Sequence, residues 1–514
     1  MTISGSTIAA TNDVALAAAN NLTITTSQDT SQSSQHHEET HSGLGSTGAA
    51  ISYGDKEQKD AYNDASVKHN GSLVGSTDGS VKLVAGGDLH VTGSDLIAAK
   101  DLIGTGANVT LDAATSTAHH DETHEVKQSA LSLGVAGGLV DLVQSAINQA
   151  EASGGSEDSR AASLHAIAAV GNGAAAVESM ASGKPDVKIE LSFGSSHSKD
   201  TLTQDSTTTG GASVKAGGTA SFAATGGDLT IAGSNVDATD VVLAAKDSVN
   251  LISTANTDSM RSTNESSSSS FGVSFGTQGW GADASMSKAN GHANSDSTTQ
   301  NNTHINASNG ATIVSGGDTN IVGANVNAKS VNADIGGNLN IASVQDTMKS
   351  DAHQESMSGG VSISQAGGGG SFSSQRGNAS GSYAGVEEQS GIRAGDGGFS
   401  INVARNTDLK GAVIGSDADA SKNALNTGTL TFSDIANHSD YSASSSGFSA
   451  GGSVGAPARG TGTISRGNSG GFTPMLSQSE SGSDDATTRR RVARSAPGRS
   501  TLRTRTIRRR TSRV

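Results

Sequence analysis

Two histidine-rich segments are the residues of this chain whose types and spacing could support catalysis. His37-Glu38-Glu39-Thr40-His41 matches the H-E-x-x-H pattern of zinc proteases, in which both histidines bind zinc and the glutamate is the general base. The pattern needs a helix, because a strand separates residues four apart by about 13 Å. The preceding Thr30-Ser31-Gln32-Ser33-Ser34-Gln35 has no helical apolar period, and His119-His120-Asp121-Glu122-Thr123-His124 has aspartate in place of the general base. Both segments therefore indicate a repeated polar surface rather than a zinc site.

Other patterns that could support chemistry are weak. A polysaccharide-cleaving site would need clustered charged groups and aromatic side chains that stack on sugars, yet Trp280 is the one tryptophan and the acids are scattered. The sequence contains no phosphate loop, nucleophile elbow, Cys/His zinc set or Gly-Gly-x-Gly-x-Asp calcium series. We predict that the chain is not an enzyme, with no catalytic, cofactor-binding or metal-binding residues and no small-molecule substrate; an enzyme built on a β-helix is the alternative.

The composition indicates an elongated or disordered chain. Of its 514 residues, 67 are glycine, 33% are hydrophobic, 3% are aromatic and none is cysteine. Residues 489–514 contain 11 of the 34 basic residues, so residues 1–488 have 23 basic and 49 acidic residues and a net charge of −26. That charge disfavours binding to nucleic acid and to anionic lipid. No apolar run approaches the roughly 20 residues of a membrane span, and Met1–Ser6 does not resemble a signal peptide.

Internal repetition is the most informative feature of the sequence. Gly86–Gly93, Gly226–Gly233 and Gly316–Gly323 share a Gly-Gly-Asp frame that ends in glycine, and the chain begins inside another copy. A divergent copy ends at Ile414-Gly415-Ser416, which places the marker glycines at positions 5, 93, 233, 323 and 415. Their spacings of 88, 140, 90 and 92 residues indicate that the second interval contains an insertion of about 50 residues.

A shorter period of 20 residues lies within each copy. Leu89 and Val91 recur as Val109 and Leu111, and the apolar residues alternate with polar ones as in a strand. Short strands and turns at this period predict an all-β fold, an elongated parallel β-helix (β-solenoid). We attribute the Gly-Gly-Asp/Asn turns to the tolerance of glycine and asparagine for positive φ. The residues expected to point inward are Val91, Val109, Ile231, Leu251, Ile321 and Ile341. A disordered chain, a β-sandwich and a propeller are the alternatives.

Segments between the solenoid strands add two further elements. Ser267–Thr299 and Ser350–Ser390 contain short strand patterns and predict hairpins or extra strands that flank the solenoid. Gly138–Ala152 has apolar residues at a spacing of three and four, which predicts a short amphipathic helix, and Ala161–Met180 predicts a second. We expect these helices to pack on the solenoid, with membrane activity as the alternative.

The residues from Asn406 onward carry a family resemblance. Asn406–Ile414, Thr427–Ile435, Asn437–Tyr441 and Ser444–Ser449 resemble the haemagglutinin repeat region of filamentous-haemagglutinin-type exoproteins, especially contact-dependent growth inhibition effectors. Together with the upstream copies, the resemblance covers most of residues 1–470. It implies secretion through an outer-membrane two-partner transporter to the bacterial surface. It also implies a stalk that engages the surface or outer membrane of a target cell and supports delivery of a C-terminal toxin.

The domain organisation that we predict follows from these patterns. It is haemagglutinin-type solenoid repeats in 1–136, a helical insertion in 137–195, further repeats in 196–470, a Gly/Ser-rich linker in 471–488 and an Arg-rich tail in 489–514. By comparison with such exoproteins, we expect this sequence to lie outside their signal, transport, pretoxin and toxin regions. The tail is expected to be disordered or translated out of frame, or else to be a basic segment that binds nucleic acid or anionic surfaces.

Two functions remain open at this point. The first is a stalk segment of a secreted toxin-delivery protein, and the alternative is an adhesin (haemagglutinin) segment for host or biofilm attachment that delivers no toxin. In both cases the expected partners are the outer-membrane transporter during export and a cell surface. No nucleic acid is expected as a partner of the acidic body, and no cofactor is expected.

Overall fold

The computed structural model is nearly all β. It describes residues 1–47, 50–136, 188–276, 279–365, 367–455, 473–483, 494–495, 499–502 and 507–509. Within these ranges the one helical element is a short 3-10 turn, η1 (Ala420–Lys422). No helix in this part of the chain is long and apolar enough to cross a membrane.

Twenty-five strands form a parallel solenoid. They are β1 (Thr2–Ser4), β2 (Thr7–Ala10), β3 (Val14–Ala18), β4 (Leu22–Thr25), β7 (Leu73–Ser76), β8 (Val81–Ala85), β9 (Leu89–Thr92), β10 (Asp95–Ala98), β11 (Leu102–Gly106), β12 (Val109–Asp112), β15 (Ser213–Ala216), β16 (Thr219–Ala224), β17 (Leu229–Ala232), β18 (Asn235–Ala245), β19 (Val249–Ile252), β22 (Thr303–Ser315), β23 (Thr319–Val322), β24 (Ala324–Ile335), β25 (Leu339–Ala342), β28 (Gly391–Lys410), β29 (Val413–Ser416), β30 (Asn423–Ser433), β33 (Arg494–Ser495), β34 (Arg499–Leu502) and β35 (Ile507–Arg509).

Each coil of the solenoid has three short strand segments that stack on the same segments of the next coil. For example, β12 pairs in parallel with β9, so that Val109 lies beside Leu89 and Leu111 beside Val91. The 20-residue step predicted from the sequence is therefore the step from one coil to the next. Elsewhere two segments of a coil join into one longer strand, as in β18, β22 and β24.

The core is a narrow column of aliphatic side chains inside the coils. The six residues predicted to point inward are all at most 1% exposed: Val91, Val109, Ile231, Leu251, Ile321 and Ile341. Polar residues alternate with them on the outside of the same strands. The β-solenoid prediction is confirmed, and the column explains how a chain that is 33% hydrophobic forms a continuous core.

The Gly-Gly-Asp/Asn turns have a different physical basis from the one predicted. Their glycines are not among the positive-φ residues. A Cβ atom on Gly316 would lie 2.0 Å from the Lys246 carbonyl oxygen of the preceding coil, and one on Gly86 would lie 2.1 Å from that of Ala19. The attribution to positive φ is therefore wrong for these glycines, which are needed because successive coils approach too closely for any side chain.

Left-handed backbone occurs instead at the marker glycines between coils. Gly5, Gly93, Gly233 and Gly323 have φ between 49° and 62°. The fifth marker is Gly411, with φ 56°, and not Gly415, as the sequence pattern suggested. The last interval is therefore 88 residues, like the first, because Gly411 closes the same turn in its coil.

Ten long strands form a second, antiparallel sheet, which we call the hairpin sheet. In spatial order they are β5 (Ser27–Thr47), β6 (Ala50–Asn70), β13 (Ala114–Ala136), β14 (Lys188–Gly210), β20 (Thr254–Gly276), β21 (Gly279–Asn301), β26 (Asp346–Ser364), β27 (Gly367–Gly385), β31 (His438–Gly455) and β32 (Thr473–Ser483).

Each hairpin leaves the solenoid after the third segment of every second coil. Two coils and one hairpin make the 88–90-residue repeat. The hairpins predicted within Ser267–Thr299 and Ser350–Ser390 are confirmed as parts of β20–β21 and β26–β27. The insertion in the long interval lies between β13 and β14, at the far end of a hairpin. Residues 188–195, included in the predicted insertion, belong to β14, and both predicted helices lie outside the described residues.

Three short segments of the Arg-rich tail extend the parallel sheet. β33 pairs with β29, and β34 and β35 pair with the two halves of β30. These segments follow the order of the three segments of a coil. That the tail as a whole is disordered, or is translated out of frame, stays a prediction.

The inward register can be tested with two neighbouring residues. Ile231 is fully buried and Thr230 is on the outside of the same strand. We expect Ile231→Asp to lower the free energy of unfolding by about 3 kcal/mol or more, because it buries an unpaired charge. Thr230→Asp is the matched control and should cost far less. Urea denaturation followed by circular dichroism measures both, and equal stabilities would contradict the register.

The assignment of the fifth marker glycine gives a second test. We expect Gly411→Ala to lower stability by about 1–2 kcal/mol, because an L-residue resists the left-handed conformation. Gly415→Ala should be nearly neutral, because the nearest atom to its new Cβ is 3.7 Å away. The thermal midpoints of the two variants check this. A larger decrease for Gly415→Ala than for Gly411→Ala would show that Gly415 is the fifth marker glycine.

Candidate functional site

The zinc-protease-like segment lies in an extended strand. His37 and His41 are both in β5, with Glu39 between them on the same face of the strand. The His41 ring lies 2.5 Å from a Glu39 carboxylate oxygen and the His37 ring lies 3.8 Å from the other. The helical geometry that the zinc pattern needs does not form here. That the segment binds no zinc remains a prediction, although no cluster of three potential metal ligands occurs among the described residues.

The second histidine segment lies in β13 and pairs with carboxylates of neighbouring strands. The His119 ring contacts Asp205 of β14 at 2.6 Å and Asp121 of its own strand at 2.8 Å. The His120 ring contacts Asp64 of β6 at 2.6 Å. These hydrogen bonds raise the pKa of both histidines. The segment therefore links three strands of the hairpin sheet.

Beside it, a row of alternating histidine and aspartate crosses four neighbouring strands, formed by His37, Asp60, His124 and Asp200. A hydrogen bond with His124 and another from Gln58 lower the pKa of the Asp60 carboxyl. Burial raises the pKa of Asp200. The row favours one register of strand pairing, because a slip by one residue would move every member to the other face.

On the opposite face, one residue along each strand, a second row carries alternating charge, which we call the ionic row. Its members are Glu38, Lys59, Glu125, Lys199, Glu265, Asn290, Glu355 and Arg376. Lys59 and Glu38 are 3.4 Å apart, and Arg376 and Glu355 are 3.1 Å apart. These side chains are partly to largely exposed, so their pairing contributes more to strand register than to stability.

The described contacts in this region do not assemble a nucleophile with a base. His197 contacts Glu125 at 2.9 Å, which resembles the base and orienting acid of a hydrolase. The nearby Ser195 hydroxyl, however, forms its hydrogen bond with Ser269 rather than with His197. A triad would require the serine hydroxyl to donate to the histidine ring. Absence of catalysis remains a prediction that this geometry favours.

The most unusual surface of the molecule lies at the outer ends of the hairpins. There, large apolar residues alternate with small ones, as in Phe271-Gly272-Val273-Ser274-Phe275 of β20 and Val361-Ser362-Ile363-Ser364 of β26. Since directly opposite residues share a face, the apolar residues of all these strands lie on the face that carries the ionic row. We call this the front face, and the other, which carries Ser270, the back face.

The apolar residues on the front face are solvent-exposed. Phe271 is 56% exposed, Phe275 67% and Val454 70%. They belong to a set that we call the tip patch: Leu44, Ile51, Tyr53, Leu131, Leu133, Ile189, Leu191, Phe193, Phe271, Phe275, Trp280, Met286, Met357, Val361, Ile363, Phe372, Phe448 and Val454. These 18 residues are most of the exposed large apolar residues described. An apolar surface of this extent marks an interaction site.

The back face at the same height is built of small residues. The row behind the patch contains Gly54, Ala130, Gly194, Ser270, Ser285, Gly360, Ser371 and Gly451. The outer half of the hairpin sheet is therefore strongly one-sided. Sequence analysis found single strand patterns here and missed the patch, although the alternation of large and small residues at each hairpin end was a usable signal.

Comparison with known proteins agrees with the repeat pattern. The family model described as hemagglutinin repeat matches residues 1–100, 51–190 and 191–357. A tRNA nuclease CdiA of Burkholderia pseudomallei is 51% identical over 509 residues, which cover 96% of this chain and 39% of the relative. Toxin CdiA of Yersinia pestis is 38% identical, with 88% of this chain and 14% of the relative covered. No solved structure matches the chain.

The chain matches only part of each relative, which limits what the comparison implies about function. This chain spans less than half the length of these relatives. The nuclease and toxin activities in their names are properties of those longer proteins.

The histidine–carboxylate contacts predict a pH dependence. Because the folded-state pKa of His119 and of His120 is raised, their stabilising effect is complete below the unfolded value of about 6.5 and is lost as pH rises through the folded value. We expect a lower thermal midpoint at about pH 8 than at about pH 6. The double variant His119→Gln/His120→Gln should lose part of this difference, whereas His438→Gln, at the exposed start of β31, should keep it. An unchanged difference in the double variant would contradict this role.

Proposed function

The chain belongs to the hemagglutinin repeat family, and we propose that it is a stalk segment of a secreted bacterial surface exoprotein that engages a target-cell surface. In this proposal the segment supports delivery of a C-terminal toxin that lies outside the chain. The chain itself is not an enzyme. An outer-membrane two-partner transporter exports it, and its location is the cell surface.

The tip patch is the single observation that carries the surface-engaging role. A structural spacer would need the solenoid alone, with its buried column and polar exterior. This chain instead projects ten long strands from the solenoid and exposes apolar side chains at their far ends. Exposed apolar area costs free energy in water, so its repetition in every hairpin supports a role in contact.

The solenoid supplies the geometry for such a contact. Its parallel pairing places each hairpin at the same corner of the coil, and the hairpins then pair with one another along their length. Weak contacts at each hairpin end are thereby arranged in one line. A target surface would meet them together, which raises the overall affinity above that of any single hairpin.

An adhesin segment that delivers no toxin is the second candidate. The tip patch supports attachment in both cases, and toxin names among the relatives favour the first. The coding sequence downstream distinguishes them, since only a delivery protein would encode a toxin there.

The proposed contact predicts binding to outer-membrane vesicles from target bacteria. In a flotation assay we expect the intact chain to rise with the vesicles and Phe193→Asp/Phe275→Asp to remain below, because two charges interrupt the tip patch. Ser192→Asp, on the back face beside Phe193, is the matched control and should float. Equal flotation of both variants would place the contact elsewhere, and no flotation of the intact chain would contradict the proposed membrane contact.

A further inference from the structure

The tip patch is large enough to form a stable protein interface. It crosses nine strands, from β5 to β31, and its densest part is three front-face rows deep. With strands about 4.8 Å apart and rows about 7 Å apart, it covers roughly 800 Å². A stable pair of proteins buries about 800 Å² on each partner. Within the described residues, nothing packs against this face.

We propose that a second copy of this chain covers the tip patch, front face to front face. The two copies are related by a two-fold axis that runs parallel to the strands between β20 and β21. This axis places β14 of one copy over β26 of the other, and β13 over β27. Antiparallel sheets with one apolar face are commonly covered in this way, about 10 Å apart.

The sizes of the side chains fit this arrangement. Where β13 of one copy lies over β27 of the other, large residues meet small ones at the same height. Where β14 lies over β26, large apolar residues meet each other, as Phe193 meets Val361. Leu131 lies opposite Gly370, and Leu133 opposite Gly368, in the row assignments of the hairpin sheet. In the next row the order reverses, since Phe372 lies opposite Ser129. Large residues that alternate with small ones allow two facing layers to interdigitate.

The charges of the ionic row fit the same axis. Glu125 of one copy lies opposite Arg376 of the other, and Lys199 opposite Glu355. Because the interface is two-fold, each of these pairs occurs twice. Opposite charges at the rim of an apolar interface favour this register over a shifted one.

These features favour a second copy over lipid as the partner in water. A lipid surface makes no use of the large residues of β13 matched to small ones of β27, or of the charge pairs between the two ionic rows. Self-pairing concerns the same surface as the proposed function without depending on it. If both the self-pairing and the proposed function are correct, the dimer covers the tip patch until a target surface displaces the second copy.

Sedimentation velocity over a range of protein concentrations tests the pairing. We expect the intact chain to sediment as a dimer and Phe271→Asp to sediment as a monomer at concentrations where Ser270→Asp, its back-face neighbour, stays dimeric. Circular dichroism of both variants checks that they keep their strands. A monomeric intact chain, or a dimer equally stable in both variants, would overturn the inference.

The absence of cysteine allows a second test of the axis. Chains with Leu131→Cys are mixed with chains with Gly370→Cys and treated with a bismaleimide that spans about 10 Å, the spacing of packed sheets. We expect cross-linked dimers, and few from Ala130→Cys and Ser371→Cys, which share one row of the back face. Equal cross-linking of both pairs would reject the front-face arrangement. Flotation of a purely monomeric chain with vesicles would assign the patch to lipid and leave the proposed function standing.

Discussion

Stacking of one coil on the next is the constraint on which the rest of the structure depends. Parallel hydrogen bonds join each strand segment to its counterpart one coil away. At the Gly-Gly-Asp/Asn corner, side-chain oxygens also accept backbone N–H groups of the adjacent coil, as Asn108 does from Asp228 at 3.0 Å and Asp318 from Asn338 at 2.7 Å. The coils come so close there that only glycine fits. Every coil therefore repeats the path of the previous one, and the hairpins all leave from one corner.

The hairpin sheet inherits its order from that corner. Hairpins that start at equal heights along a common axis can pair edge to edge, and ten strands combine into one sheet. Rows of residues from five repeats then align across it. The ionic row, the histidine–aspartate row and the tip patch are all products of this alignment. None exists in a single hairpin, so they belong to the assembled array rather than to one repeat.

The solenoid provides most of the stability, and the hairpin sheet provides the contact surface. The solenoid buries its aliphatic column completely, whereas the hairpin sheet leaves large apolar side chains in water at its outer end. Exposed ion pairs along the hairpins add little free energy but select one strand register. The stable solenoid can thus hold the tip patch in place although the apolar side chains of the patch remain exposed to water. That imbalance links the fold to the proposed contact with a partner.

The sequence alone determined the solenoid, because its signals are local. The 20-residue recurrence of Val91 as Leu111 and of Ile321 as Ile341 encodes the coil step, and strand alternation encodes the inward face. The sequence pattern placed the fifth marker glycine at Gly415 and missed Gly411. The pattern could not separate them, because the φ of each glycine depends on how the coil closes. The tip patch was decided by tertiary structure. Leu131, Phe193 and Phe271 are far apart in sequence, and they share one face only because the solenoid sets the height at which each hairpin begins.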